Sequence, residues 1–341
     1  MPGRKTVFKI AGRFGLRPQE MEEIKSGVYR LLSPSGNVYC LKRMAYPTDQ
    51  LRWIDSTLRK IKRKGFAYIC WRDPKRSKGK RAFVRPGGRG AKYILTPWIS
   101  GSKPRVTSKT DLYQCGKRLA QFHRFSRFAG TRGKGAPYYI GRWPEMLTHE
   151  RNKMEKEVKR AKAKQPLSKW EGLMLKYGSE WSKRAKSALE RLRKSSYRDL
   201  CQKARQTGSL CHGDSGYKNF VLTKQGPVII DFETLRVDLP VYDLFRFVRS
   251  IGKNSDWNFS LTRAILDGYR SVTPLKPADY ELLAVWLQFP YKPCKLIKQY
   301  RRTRSGSVRR KIVKQLEEAA RGEQRIPAFL QHLADYAKDV D

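Results

Sequence analysis

The chain has 341 residues, of which 39% are hydrophobic and 11% aromatic, so it is long enough to bury one large core or two ordinary ones. These proportions exclude a chain that is disordered throughout, because such chains lack aromatic residues to bury. With 74 Lys and Arg against 30 Asp and Glu, the net charge of +44 predicts a basic surface that attracts polyanions. The charge bears on partners and says nothing about the fold.

The six cysteines are scattered, with no CxxC pair and no cluster with histidine at metal-ligand spacing. This pattern predicts reduced thiols and argues against a zinc site or a disulfide framework. The first twenty residues contain no apolar run of signal-peptide length, and the longest apolar stretch, 282–290, is too short to span a bilayer. We therefore expect a protein that is made and used without crossing a membrane.

The N-terminal part of the sequence predicts strands and one helix. A turn signal, Pro-Ser-Gly, divides residues 21–44 into a β-hairpin. Apolar residues at three- and four-residue spacing predict a helix over 48–64. Residues 66–71 and 91–99 have the composition of further strands, and the basic, glycine-rich stretch 72–92 predicts a long exposed loop between them.

The remainder of the sequence, from residue 102 onward, is mainly helical in pattern. Residues 150–164 and 171–194 alternate charges with sparse apolar residues, which predicts two exposed helices. The segment VLTKQGPVIIDF at 221–232 predicts a second β-hairpin. From residue 242 to the end the pattern is helical again, with prolines as breaks.

The most informative segment is LCHGDSGYKN at residues 210–219, which is followed twelve residues later by Asp-Phe-Glu. It places three polar acceptors, Asp214, Asn219 and Asp231, on a loop and the hairpin after it. Two oxygen ligands from opposite ends of a hairpin can hold Mg²⁺ beside the phosphates of a nucleotide. A third carboxylate can orient and deprotonate an incoming hydroxyl, which phosphoryl transfer requires. The alternative is that these side chains only cap turns.

This spacing resembles the catalytic loop of the protein-kinase-like superfamily, in the HGD form of the aminoglycoside and choline phosphotransferases. The resemblance implies that Asp214 is the catalytic base and that His212 braces the loop. It also implies that Asn219 and Asp231 are ligands of Mg²⁺, with Glu233 as a further carboxylate beside the metal.

The same resemblance implies an ATP site in the N-terminal part. Lys42, at the end of a predicted strand, would contact the α- and β-phosphates, although a lone strand lysine is more often a surface residue. The glutamate that usually pairs with this lysine is missing from the next helix, where Asp55 is the best-placed acid. The phosphate-covering glycine loop is reduced to Ser26 and Gly27.

Two further segments resemble parts of the superfamily. Residues 93–101, YILTPWISG, have the form of the strand that leads into the hinge between lobes and would bind adenine. The candidate nucleotide contacts there are Thr96, Trp98 and Ile99, and Trp98 is equally a candidate core anchor. In DLPVYDL, at 238–244, the second aspartate resembles the residue that caps a helix and braces the catalytic loop.

Together these motifs resemble the spore coat protein S and YutH group, a branch of the aminoglycoside-phosphotransferase-like kinases. The resemblance implies an α+β, two-lobed protein-kinase-like fold with ATP and Mg²⁺ as cofactors. It predicts an N-terminal extension over 1–20, a small antiparallel β lobe over 21–101, and a larger, mainly helical C-terminal lobe over 102–341. It also implies synthesis in the mother-cell cytoplasm and association with the endospore coat.

Functions from different classes remain open at this point. The first is an Mg²⁺·ATP-dependent phosphotransferase that acts on a hydroxyl of a small molecule or coat component. The second is a structural coat protein that keeps the kinase fold and binds coat proteins or other polyanions through its basic surface. A third, nucleic-acid binding, rests on charge alone: residues 292–314 carry ten basic and no acidic residues but no nucleic-acid-binding motif. Specific nucleic-acid binding is therefore not expected.

Overall fold

The computed structural model describes residues 3–72, 82–86, 90–129 and 133–340. Its N-terminal part contains two helices and four strands. In chain order these elements are α1 (Arg4–Gly12), β1 (Glu20–Lys25), β2 (Val28–Leu32), β3 (Val38–Met44), α2 (Thr48–Arg63) and β4 (Lys92–Pro97).

The four N-terminal strands form one antiparallel sheet in the order β1-β2-β3-β4. The predicted hairpin over 21–44 is confirmed, with β1 added to it through a tight turn at Ser26 and Gly27. In β3, inward and outward side chains alternate, which lets Leu41 enter the core while Lys42 lies on the opposite face. The sheet thereby presents Lys42 toward the rest of the chain.

Helix α1 covers one face of this sheet. Val7, Ile10 and Phe14 are buried in a cluster that also contains Tyr29 and Leu41 from the strands. The first twenty residues therefore contribute part of the core around the sheet. The three-part division of the chain stays a prediction.

The predicted strand over 66–71 is wrong as a member of the N-terminal sheet. Ile69 instead forms an isolated parallel bridge with Ile229, and the N–H of Cys70 donates to the Ile229 carbonyl at 2.8 Å. The apolar residues of this segment are buried by pairing with the hairpin that follows the predicted catalytic segment. Most of the predicted loop over 72–92 lies outside the described residues.

The C-terminal part is mainly helical, as predicted, and the charged stretches form long helices. Its elements are α3 (Lys109–Ser126), α4 (Trp143–Lys162), α5 (Lys169–Lys194), α6 (Tyr197–Thr207), β5 (Leu210–Cys211), β6 (Phe220–Thr223), β7 (Gly226–Ile229), β8 (Arg236–Val237), α7 (Val241–Gly252), α8 (Phe259–Arg270), α9 (Pro277–Gln288), α10 (Tyr291–Arg302), α11 (Gly306–Glu323) and α12 (Ile326–Asp339).

Two short antiparallel pairs, β5-β8 and β6-β7, hold the predicted catalytic segment against these helices. The β6-β7 hairpin confirms the prediction for residues 221–232. All six cysteines are free, as predicted. In the described part of the chain, no helix has the length and apolar character needed to span a membrane.

Candidate active site

The predicted catalytic loop is fixed from inside by His212, which is fully buried. Its Nε2 donates to the carbonyl of Ile230 at 2.8 Å, and its Nδ1 accepts from the N–H of Asp214 at 3.2 Å. One ring thus ties the loop to the end of the β6-β7 hairpin. This geometry matches the bracing role predicted for His212 and leaves neither ring nitrogen free for proton transfer.

Asp243, at the start of α7, holds the same loop from the other side. Its carboxylate accepts from the N–H groups of His212 at 2.6 Å and Gly213 at 2.9 Å, and from His123 Nε2 at 3.0 Å. Burial raises the pKa of Asp243, but the hydrogen bond and charge of His123 help bring its pKa below the ordinary value. The bracing role predicted for the second aspartate of DLPVYDL agrees with these contacts.

The glycine of the HGD motif is required by close packing. Gly213 has φ +84°, and a Cβ atom there would lie 2.2 Å from the carbonyl oxygen of Thr234. Any larger residue would push the loop away from the segment that carries Asp231. The glycine therefore sets the distance between the two halves of the site.

Asp214, the predicted catalytic base, has two different neighbours. One carboxylate oxygen accepts from Arg246 of α7, and the other lies 3.4 Å from the amide nitrogen of Asn219. The side-chain amide of Asn219 also donates to the Asp214 carbonyl at 2.6 Å. Burial raises the pKa of Asp214, but Arg246, the charge of His212 and the hydrogen bond from Asn219 together bring it below the ordinary value, so the carboxyl is ionised at neutral pH.

Lys42 contacts the segment that contains the predicted metal ligands. Its Nζ lies 3.0 Å from Oδ1 of Asp231 and also pairs with Glu233. Burial lowers the pKa of Lys42, but the two carboxylates raise it more, so its pKa stays above the ordinary value. The structure thus brings Lys42, Asp231 and Glu233 together from positions about 190 residues apart in the chain.

The backbone of Asp231 is in the left-handed region, with φ 65° and ψ 53°. This conformation is costly for a residue other than glycine, and such residues concentrate at functional sites. The side chain of Asp231 is 37% exposed, so its second oxygen is open to a ligand. Together with the amide oxygen of Asn219 and the carboxylate of Glu233, it offers the hard oxygen donors that suit Mg²⁺.

The predicted pairing of Asp55 with Lys42 is wrong. Asp55 is buried on α2, where both of its carboxylate oxygens accept from Arg72 and one also accepts from the indole of Trp71 at 3.1 Å. The arginine follows the misassigned 66–71 segment and satisfies Asp55 completely. Glu233 takes the position beside Lys42 instead.

Of the predicted nucleotide contacts at the hinge, Thr96 lies in β4, and Trp98 and Ile99 follow directly after it. The N–H of Trp98 donates to the carbonyl of Val38 at 3.0 Å, so it continues the sheet and is not free for adenine. Thr96 pairs with Cys40 in the sheet register, on the same face of β3 as Lys42, and Ile99 is half-buried. Of the three residues, Thr96 is therefore the best placed to face a nucleotide.

Ser26 and Gly27 occupy the turn between β1 and β2. Gly27 has φ +77°, and its carbonyl accepts from the N–H of Arg43 at 2.7 Å. The turn is therefore short and tied to the sheet. A phosphate contact from these two residues stays a prediction.

Three residues near the site were not identified from the sequence. Arg246 pairs with Asp214. It could have been identified from the sequence because it lies three residues after Asp243 on a predicted helix and therefore on the same face. Tyr46 is half-buried, and burial together with the charge of Glu233 raises the pKa of its phenol. Lys103 donates to the carbonyl of Lys218 at 2.7 Å, and no sequence pattern marked it.

A buried group behind the loop has the residue types of a metal site. Among the described residues, His123, Cys211 and Asp243 offer ligand atoms within 4.8 Å of one another. Each already has a protein partner: Cys211 donates to the Leu239 carbonyl at 3.0 Å, and His123 bonds to Tyr269 and Asp243. This cluster is explained by its role in bracing the loop.

Comparison with known proteins supports the kinase-like fold. The chain superposes on an aminoglycoside phosphotransferase from Alicyclobacillus acidocaldarius with a TM-score of 0.78 at 20% identity, covering 97% of this chain and 96% of that one. It also resembles a spectinomycin phosphotransferase in complex with ADP and spectinomycin, with a TM-score of 0.64 at 16% identity and coverage of 96% and 99%. The two-lobed protein-kinase-like fold predicted from the sequence is confirmed.

A family model described as "Spore coat putative kinase YutH" matches residues 9–333. The chain belongs to this spore coat kinase family. A curated relative, spore coat protein S of Bacillus subtilis, is 24% identical over 205 residues, and the match spans 58% of each chain. The family predicted from the sequence motifs is therefore correct.

Proposed function

We propose that this member of the YutH family is an Mg²⁺·ATP-dependent phosphotransferase that acts on a hydroxyl group. The observation that carries the proposal is that three separate segments meet. Lys42 lies 3.0 Å from Asp231, and the N–H of Ile230 donates to the carbonyl of Asn219, on the loop that carries Asp214. The side chains on these segments are a lysine, two carboxylates and an amide. Their residue types match the tasks of phosphoryl transfer.

Each residue has a distinct task in this proposal. Lys42 binds the nucleotide phosphates, and it can move from Asp231 and Glu233 to the phosphates because all of these groups are anionic. Asn219, Asp231 and Glu233 would hold Mg²⁺, which when bound neutralises charge on the phosphates. Asp214 orients the acceptor hydroxyl and accepts its proton. Arg246 keeps the Asp214 carboxylate ionised and directed.

The family and the spore coat relative support a location in the endospore coat. The compounds in the names of the structural relatives, among them spectinomycin and aminopropanol, support a small-molecule acceptor. Both compounds carry hydroxyl groups, and a hydroxyl is the group from which Asp214 would accept a proton. The acceptor of this chain is therefore proposed to be a small hydroxylated molecule.

The test of this proposal separates binding from turnover with the variant Asp214→Asn. ADP formation is measured with and without a small-molecule extract of sporulating cells, and ATP affinity is measured by fluorescence titration. We expect turnover to fall by roughly 10²- to 10⁴-fold while ATP affinity changes little, because a base acts on the acceptor and not on the nucleotide. Unchanged turnover, or an equal loss of affinity, would contradict the assignment.

Adhesion to polyanions is a second candidate function, and the exposed basic residues of α11 favour it. Arg310, Lys311 and Lys314 are exposed, have no ion pair in the described structure and are not among the candidate-site residues. We expect their replacement by Glu to weaken retention on polyphosphate resin in a salt-sensitive manner, without loss of ATP binding. Retention that survives both the substitutions and high salt would point to a packed interface instead.

A further inference from the structure

One face of α7 lies against the catalytic loop. Arg246, Arg249, Ser250 and Lys253 are spaced three, four and seven residues apart, so they share that face. Ser250 Oγ accepts from the N–H of Tyr217 at 3.2 Å, which brings the face to the segment between Asp214 and Asn219. Lys218, the next residue after Tyr217, is exposed.

The N-terminal turn of α10 closes the other side of this face. The hydroxyl of Tyr291 accepts from Arg246 at 3.2 Å, and the guanidinium carbons of Arg246 and Arg249 lie 5.6 and 5.9 Å from its ring centroid. Lys292 and Lys295 come next on α10. Three separate segments thus converge beside Asp214.

The convergence creates an excess of positive charge, which we call the acceptor-side basic face and define as Lys218, Lys253, Lys292 and Lys295. Arg246 and Arg249 have carboxylate partners in Asp214 and Glu323. The four lysines have no ion pair to any residue in the described ranges. This face therefore carries four charges that the protein leaves uncompensated.

Burial and mutual repulsion both lower the pKa values of lysines in this face. Burial lowers the pKa of Lys253, and Lys218, Arg246, Arg249 and Lys295 lower it further. Burial and the same kind of repulsion, from Lys295, Lys253 and Arg249, lower the pKa of Lys292. Like charges held together at a cost to stability create a strong local potential for anions.

The position of Asp214 relates this face to the reaction. One of its oxygens lies near Asn219 on the metal side, while the other accepts from Arg246 at the edge of the basic face. An acceptor whose hydroxyl reaches Asp214 from the side opposite the nucleotide must therefore lie along this face. A cationic acceptor would be repelled there.

We propose that the phosphoacceptor is an anionic polyol, a small hydroxylated molecule that also carries phosphate or carboxylate groups bound by the acceptor-side basic face. This inference rests on the proposed phosphotransferase function. In the reaction, the acceptor oxygen forms a bond to the γ-phosphorus while the bond from that phosphorus to the ADP oxygen breaks. The electron pair of the broken bond leaves with ADP, and the hydroxyl proton passes to Asp214.

The experiment measures binding of inositol hexakisphosphate, which serves as a probe of the basic face. The full chain is first saturated with Mg²⁺·ADP, so that the nucleotide site is filled. The test variant carries Lys253→Glu and Lys292→Glu. The control variant carries Lys183→Glu and Lys194→Glu, which make the same charge change at exposed positions of α5. Thermal unfolding of both variants verifies that they fold.

We expect the test variant to bind the probe at least about tenfold more weakly than wild type, and the control variant to stay within about twofold, because only the former loses clustered contacts. Competition then identifies the anionic group. Glucose 6-phosphate and glucuronate distinguish phosphate from carboxylate, and glucosamine is expected not to compete.

Equal losses in the two variants would show that the probe binds to overall charge and would overturn the inference. Displacement of the probe by glucosamine as effectively as by the two anions would overturn it as well. Binding of Mg²⁺·ADP to wild type is measured in the same samples. Its absence would refute the phosphotransferase function itself, which distinguishes that failure from a failure of the acceptor assignment.

Discussion

Replacement of Asp243 by asparagine tests how the catalytic loop is held. The carboxylate is fully buried and accepts hydrogen bonds from two backbone N–H groups and His123, at 2.6, 2.9 and 3.0 Å. Asparagine keeps one acceptor oxygen, so its NH₂ group must face at least one of these donors. That donor is left without a partner, and the other two bonds lose their charge.

The magnitude follows from these contacts. One buried donor without a partner costs about 1–3 kcal/mol, and the two weakened bonds cost about 1 kcal/mol each, giving about 3–5 kcal/mol. The free energy of unfolding of a typical domain is about 5–15 kcal/mol, so the loss is severe. With a denaturant slope of roughly 3 kcal/mol/M in urea, the midpoint falls by about 1–1.7 M.

The assay is urea unfolding of wild type, Asp243→Asn and the control Asp199→Asn, which changes an exposed acid on α6. The acid dependence adds a second readout. Because the pKa of Asp243 is below its ordinary value of 3.8, its contribution is complete above pH 3.8 and is lost as the pH falls through the lower folded value. Asp243→Asn should show less of this acid loss. A midpoint equal to that of the control would refute the bracing role.

Three further outcomes follow from the site. Lys42→Met leaves Asp231 and Glu233 facing each other without a cation. We expect ATP affinity, measured by fluorescence titration, to fall by about tenfold or more. Unchanged affinity would contradict the proposed binding of the phosphates by Lys42. Arg246→Met removes a charge that lowers the Asp214 pKa, so we expect the acid limb of the pH–turnover profile to move to higher pH. An acid limb at the same pH would contradict the role of Asp214 as the base. Gly213→Ala places a Cβ atom 2.2 Å from the carbonyl oxygen of Thr234, so we expect both the melting temperature and turnover to fall. A variant with full activity would contradict this close approach.

The loop and hairpin of the candidate site could be predicted because the information that specifies them is local. His212, Asp214, Asn219 and Asp231 lie within one stretch of chain, and their spacing alone places them on a loop and a hairpin. The bracing aspartate of α7 was predictable for the same reason. The helix over 48–64 and the hairpin over 221–232 also follow from local periodicity.

The ion pairs of the site could not be predicted because they depend on tertiary packing. The partner of Lys42 was expected on the next helix, at Asp55, but Arg72 satisfies that carboxylate and Glu233 reaches Lys42 from 191 residues away. The strand predicted for 66–71 failed for a related reason. Its apolar residues pair with β7, and a local pattern cannot tell which sheet a buried run will join.

The most direct test of the central claim is whether nucleotide binding depends on Mg²⁺ through Asp231. Binding of a non-hydrolysable ATP analogue is measured by isothermal titration calorimetry with and without Mg²⁺, for wild type, Asp231→Asn and the exposed control Asp199→Asn. We expect Mg²⁺ to tighten binding by about tenfold or more in wild type and the control, and to have little effect in Asp231→Asn, because the variant lacks a charged metal ligand beside the phosphates. Equal Mg²⁺ dependence in all three proteins, or no binding to wild type, would contradict the account.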